Sequence, residues 1–232
     1  MGEINLFAVA EDDALAFGRR TRDILVASDS AAWGVLLANL SSAHRLPRLT
    51  RDGRFVLDPH PIVDLAWHRS PGDPHASLVP DVVPRMESPD VRWLLSYAFL
   101  LTCELRVVLA SPQFAYGWTD EIPDRRLLQS EGEREEHSQI ARLFDRPDPP
   151  PDSLWFLSST VSGPHGYLSR ETIVHLLALE ERTGLMTRLS QQFTNDPSES
   201  FEAFGRDIAQ FHHFLALACA TGRTICWSYF AL

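Results

Sequence analysis

The chain has 232 residues, 44% hydrophobic, 22% charged and 10% aromatic, enough to enclose a sizeable core in one domain or at most two. Its 21 basic residues are all arginine, set against 31 aspartates and glutamates for a formal net charge of −10. A chain without lysine excludes Schiff-base, phosphate-loop and kinase-type lysine chemistry, because each needs a primary amine. The charge is uneven: residues 1–55 balance seven arginines against seven acids, so residues 56–232 carry the whole excess. Nucleic acid and anionic membrane both demand a basic footprint, so neither is an expected partner. Cys103, Cys219 and Cys226 are odd in number and form no C-x-x-C pair, which fits a reducing, cytoplasmic setting.

In chain order, Ile4 to Ala10 reads as a first strand. It lacks the basic flank of a secretory leader and runs straight into Glu11, Asp12 and Asp13. Those acids suit the positive end of a helix spanning about Ala14 to Leu25. A second helix begins at Asp29 or Ser30 and presents Trp33, Leu36, Leu37 and Leu40 at helical spacing. Asp52-Gly53 marks a two-residue hairpin turn that sets Arg51 opposite Arg54. With Arg45 and Arg48 these form an R-x-x-R run, read as a solvated face. Prolines from Pro59 to Pro84 make that stretch largely loop. Ser88-Pro89 opens a helix carrying Val91, Leu94, Leu95, Ala98 and Phe99, and Leu105 to Leu109 reads as a strand.

Residues 111–152 form an acidic region with a Glu-rich surface helix from Ser130 to Phe144, in which a solvated face accounts for His137 and its neighbouring glutamates. Asp148 to Asp152, with three consecutive prolines, is a stiff connector. Leu154 to Leu157 reads as a short strand, and Ser158 to Gly166 as a loop before a helix capped by Ser169 and closed by Gly184. The last helix takes Asp196 as N-cap, Pro197 at its first position and Glu199 as the third member of a capping box. Phe201, Phe204, Ile208, Phe211 and Leu215 line one face of it. Gly222 ends the helix, and Thr224 to Phe230 is a terminal strand.

Three constellations bear on chemistry. Asp58, His60, Asp64, His68, Asp73 and His75 are metal-ligand types, yet their spacing matches no zinc motif, so no metal and no cofactor is expected. The 158–167 loop offers hydroxyls, two glycines and a histidine between a strand and a helix. His165 is its candidate acid/base and Ser162 its candidate nucleophile, with Tyr167 and Arg170 as ligand contacts. Ala115-Tyr116-Gly117-Trp118 lies in a predicted loop, which makes Tyr116 and Trp118 candidate exposed ligand or partner contacts.

Gly163-Pro164-His165-Gly166-Tyr167-Leu168-Ser169-Arg170-Glu171 resembles the G-P-x-x-Y-L-[ST]-x-E helix opening of the YfbM-like family of small bacterial proteins. Leu189 and Phe193 are similar to that family's Leu-x-x-x-Phe. The stretch from Phe204 to Phe230, with Gly222, Ile225 and Trp227, and the Met1 to Ala10 strand match the family's ending and opening. The resemblance implies a single α+β domain and supplies no catalytic residue.

The sequence therefore predicts one α+β domain over residues 1–232, with Pro-rich loops at 59–84 and 147–153. A small mixed sheet contains both terminal strands and is packed by the Phe-rich last helix and the Trp33 and Trp93 helices. Two functions compete. One is a non-catalytic, immunity- or inhibitor-like protein that uses an acidic surface to bind a basic partner protein. The other is a small metal-independent enzyme acting on an anionic small molecule at the 158–167 loop, with His165 as acid/base.

Overall fold

The computed structural model describes residues 3–43, 47–49, 55–57, 103–109, 127–146, 149–157, 165–196 and 198–230, together with Val83, Met86, Arg92, Leu95, Ser96, Phe99, Leu100, Phe114 and Trp118. Its named elements run β1 (Glu3–Val9), α1 (Glu11–Ala27), α2 (Ser30–Ala43), β2 (Pro47–Leu49), β3 (Phe55–Leu57), β4 (Arg106–Leu109) and α3 (Glu131–Asp145). A 3-10 segment (Asp152–Leu157) follows, then β5 (His165–Leu168), α4 (Arg170–Thr183), α5 (Leu185–Thr194), α6 (Glu199–Ala220) and β6 (Thr224–Phe230). They fall into two compact units, one of residues 1–11, 105–150 and 162–232, the other of residues 12–104 and 151–161.

The first unit is built on a four-stranded sheet in the order β4-β1-β6-β5. Both terminal strands are central, and every pairing is antiparallel, so the sheet expected as mixed is of one kind. Leu6 stands opposite Trp227, Ile4 opposite Leu109 and Gly166 opposite Trp227. Ile4, Leu6 and Ala8 join the main core, while Phe7 and Val9 on the alternate face are equally buried. That double burial explains why β1 reads as an almost unbroken apolar run.

Phe204, Ile208, Phe211 and Leu215 of α6 are all buried in the same core, as their spacing predicts. Phe114 lies at its centre, its ring centroid 5.4 Å from Phe144, 5.5 Å from Phe211 and 6.0 Å from Phe204, mostly in edge or tilted contacts. Such pairs add to the stabilisation from area burial. The start of α6 departs from expectation: Ser198, not Asp196, is the N-cap, and Asp196 Oδ1 accepts the Ser198 N–H at 2.8 Å. The capping carboxylate thus acts one step upstream of the helix.

In the second unit, Asp29 Oδ1 accepts the Ala32 N–H at 2.9 Å and fixes the start of α2, whose Trp33 is fully buried. The rings of Phe17, Phe99 and Phe156 form a trio with centroids 5.1 to 5.4 Å apart. A Cβ on Gly18 would lie 3.0 Å from the Phe156 ring, so this glycine admits the trio to the surface of α1. The strand expected at Leu154 to Leu157 is a 3-10 segment, started by the Leu154 N–H donating to the Pro151 carbonyl at 2.7 Å. A four-residue apolar run does not distinguish the two by periodicity.

The β2–β3 pairing sets Leu49 opposite Phe55, one residue out of the register of an Asp52-Gly53 two-residue turn. Arg45, Arg51 and Arg54 lie outside the described residues, as do the Asp58 to His75 cluster and Trp93. Among the described residues no helix is long and apolar enough to cross a membrane.

Candidate functional site

The chemistry the fold concentrates lies where α3, α4 and α5 meet. Ser130 caps α3, its hydroxyl accepting the Glu133 N–H at 3.1 Å, and Glu133 reaches back so that its Oε2 accepts the Gln129 N–H. This is a capping box displaced by one residue. Glu133 Oε1 also pairs with Arg188 Nη2 at 2.9 Å, and the same nitrogen donates to the Leu127 carbonyl at 2.9 Å. The guanidinium therefore ties α5 both to α3 and to the segment before it.

One turn along α3, Glu136 is fully buried. Its Oε2 accepts the Thr183 hydroxyl from the end of α4, and its Oε1 meets no donor. Glu180, one turn before Thr183, is supplied quite differently. Its Oε2 accepts the Met186 N–H at 2.7 Å, and its Oε1 accepts the Thr187 N–H at 2.9 Å and the Thr187 hydroxyl at 2.6 Å. Those amides belong to the first turn of α5, so a carboxylate from the preceding helix occupies that helix's positive end. Gly184 makes the junction possible: at φ +65° it ends α4 and starts α5 with no residue between them.

Three buried carboxyls thus share this corner with Arg188, the one cation paired to them among the described residues. Burial pushes Glu136 up to about 8; the Thr183 hydrogen bond opposes that rise, and Glu180 and Glu133 add to it. The next residue, His137, packs against Trp118 with ring centroids 5.8 Å apart, and burial lowers its pKa. Outside the corner, a shallow cleft of about 390 Å³ is lined by Glu180, Thr187, Arg188 and His212 among others. A second groove, of about 340 Å³ between α3 and α4, carries Arg142, Arg146, Glu171 and His175.

The residues singled out in the sequence are not brought together in this way. Ser162 and Tyr116 lie outside the described residues. His165 is the first residue of β5, opposite Ser228, so the expected loop has become sheet by that point. Tyr167 is buried opposite Cys226, and burial raises its phenol pKa, which makes it part of the sheet's packing. Arg170 is exposed on the first turn of α4. Trp118, expected in an exposed loop, is fully buried on helical backbone four residues after Phe114. That i,i+4 aromatic spacing is the sequence signal for a helix facing the core.

The Glu-rich helix is likewise not a solvated face throughout, since Glu133 and Glu136 are buried. Glu133, Glu136, Ile140 and Leu143 follow one another at three, four and three, and Ile173, Leu176 and Glu180 at three and four. Acids occupying positions of an apolar stripe were the legible sign of this junction.

The chain matches no family model, no curated protein and no solved structure.

Proposed function

We propose that the chain is a non-catalytic cytoplasmic binding protein, of the immunity or inhibitor kind, that meets a basic partner protein through exposed carboxylates. The observation that carries this reading is the division of labour among the acids. Glu133 and Glu180 are engaged in helix caps, whereas Glu131 and Glu135 on α3, and Glu171 and Glu181 on α4, are exposed in a chain of net charge −10. Exposed like charges steer encounter with an oppositely charged partner and make it salt-dependent. The resemblance to the YfbM-like family belongs to the same proposal, as a small bacterial α+β protein without assigned catalytic residues.

The test is co-elution from a lysate of the source cell at low and at high salt, repeated with Glu131→Arg combined with Glu135→Arg. The reading expects a basic protein that co-elutes at low salt and is lost both at high salt and with the double variant. A partner retained under both conditions, or none at low salt, overturns it.

A second reading, a metal-independent enzyme acting on an anionic small molecule, draws on the groove beside Arg142, Arg146 and His175 and on the exposed Arg170. A thermal-shift screen with sugar phosphates and nucleotides addresses it. It requires a rise in melting temperature that is lost in Arg142→Ala or Arg170→Ala, and a flat screen removes it.

A further inference from the structure

We propose that the buried Glu136 carboxyl carries a proton in the folded protein, and that this proton is a pH-sensitive latch holding the first half of α3 onto α4 and α5. The assignment follows from counting donors. Glu180 receives three hydrogen bonds, two of them from backbone amides at the positive end of α5. Glu136 receives one, from Thr183, and its other oxygen has no donor to accept from. A buried carboxylate in that position bears the full cost of desolvation, whereas a carboxylic acid there becomes a donor itself.

The groups around Glu136 come from every element packed at this corner: Glu133 on α3, Glu180 and Thr183 on α4, Thr187 and Arg188 on α5, and His212 of α6 beside Glu180 and Arg188 in the cleft. Arg188 Nη2 is committed to Glu133 and the Leu127 carbonyl, while its buried Nε meets no acceptor. When that proton leaves, Glu136 becomes a buried anion with a single donor, and the α3 contact weakens. The latch is independent of whether the protein binds a partner or turns over a substrate.

Glu136, with an ordinary value of 4.5 and a folded value of about 8, holds a proton in the folded state that the unfolded chain has released. Its contribution is complete below about pH 4.5, falls as the pH rises towards 8 and is absent above. His137 has the opposite slope below its ordinary 6.5, because burial lowers it and the unfolded chain protonates first. The fall due to Glu136 is therefore read between pH 6.5 and 8.5.

The experiment is thermal unfolding across that range for the wild type and for Glu136→Gln, which keeps a donor and cannot ionise. Carbon-13 NMR of the glutamate carboxyls in the wild type accompanies it. The latch requires the wild-type melting temperature to drop by roughly 5 °C, a much flatter profile for Glu136→Gln, and one glutamate carboxyl titrating in the range 7 to 9. Parallel melting profiles, or no wild-type carboxyl titrating above pH 6, overturn it. The NMR reading decides the matter even where Glu136→Gln fails to fold.

Discussion

At the scale of single residues, Gly166 shows how position changes meaning. In the sequence it is a loop glycine of a possible anion site. In the structure it sits in β5 directly opposite Trp227, and a Cβ there would come within 1.9 Å of the indole. The missing side chain is the space that the buried indole fills, and that ring also lies 5.3 Å from Phe144. Gly166→Ala is accordingly expected to destabilise by about 3 kcal/mol or more, at the upper end of overpacking costs, measured by urea unfolding. A change below about 0.5 kcal/mol would show that the indole moves aside freely. Trp118 makes the same point in reverse. Its place in a predicted loop suggested an exposed contact, while its distance in sequence from Phe114 pointed to burial.

At the scale of elements, helix ends and helix crossings decide what the corner looks like. Ser130 and Ser169 cap α3 and α4 through bonds to the amide three residues on, each at 3.1 Å. Replacing either by alanine is expected to cost about 1 kcal/mol, read from the unfolding midpoint at unchanged slope. Gly205 lets α6 approach α5 closely: a Cβ would lie 2.5 Å from the Thr194 backbone nitrogen, a neighbour that does not swing away as a side-chain tip does. Gly205→Ala is expected to cost 1 to 3 kcal/mol or more, with reduced amide protection along α5 in hydrogen exchange. Much of this level was legible beforehand. The caps at Ser169 and Gly184, the apolar face of α6 and both terminal strands follow from local chemistry, which a short window of sequence contains. The stripe positions of Glu133, Glu136 and Glu180 signal burial, but the pairing at the junction did not follow, because it depends on which residues meet across 47 positions of chain, as Glu136 and Thr183 do. The candidate loop at 158–167 was read from residue types alone, and its described part proved to be a strand held by β6.

At the scale of the molecule, the first and last strands pair along seven residues at the centre of the sheet, from Glu3 opposite Phe230 to Val9 opposite Thr224. A sheet completed by its final strand depends on contacts of the greatest sequence separation, which close slowly and late. Removing residues 224–232 takes away the neighbour of both β1 and β5, and is expected to abolish cooperative unfolding in a thermal melt. A truncated chain that still melts cooperatively would show that β6 is dispensable. The account as a whole rests on the buried acids serving the fold, which leaves the exposed acids to meet a partner. Its most direct test is urea unfolding of Glu180→Ala, which removes the carboxylate capping α5. Loss of about 2 to 4 kcal/mol is expected from three charge-assisted hydrogen bonds, some of it recovered by water reaching the freed amides. Unchanged stability would contradict the account and assign Glu180 instead to whatever enters the cleft beside Thr187 and Arg188.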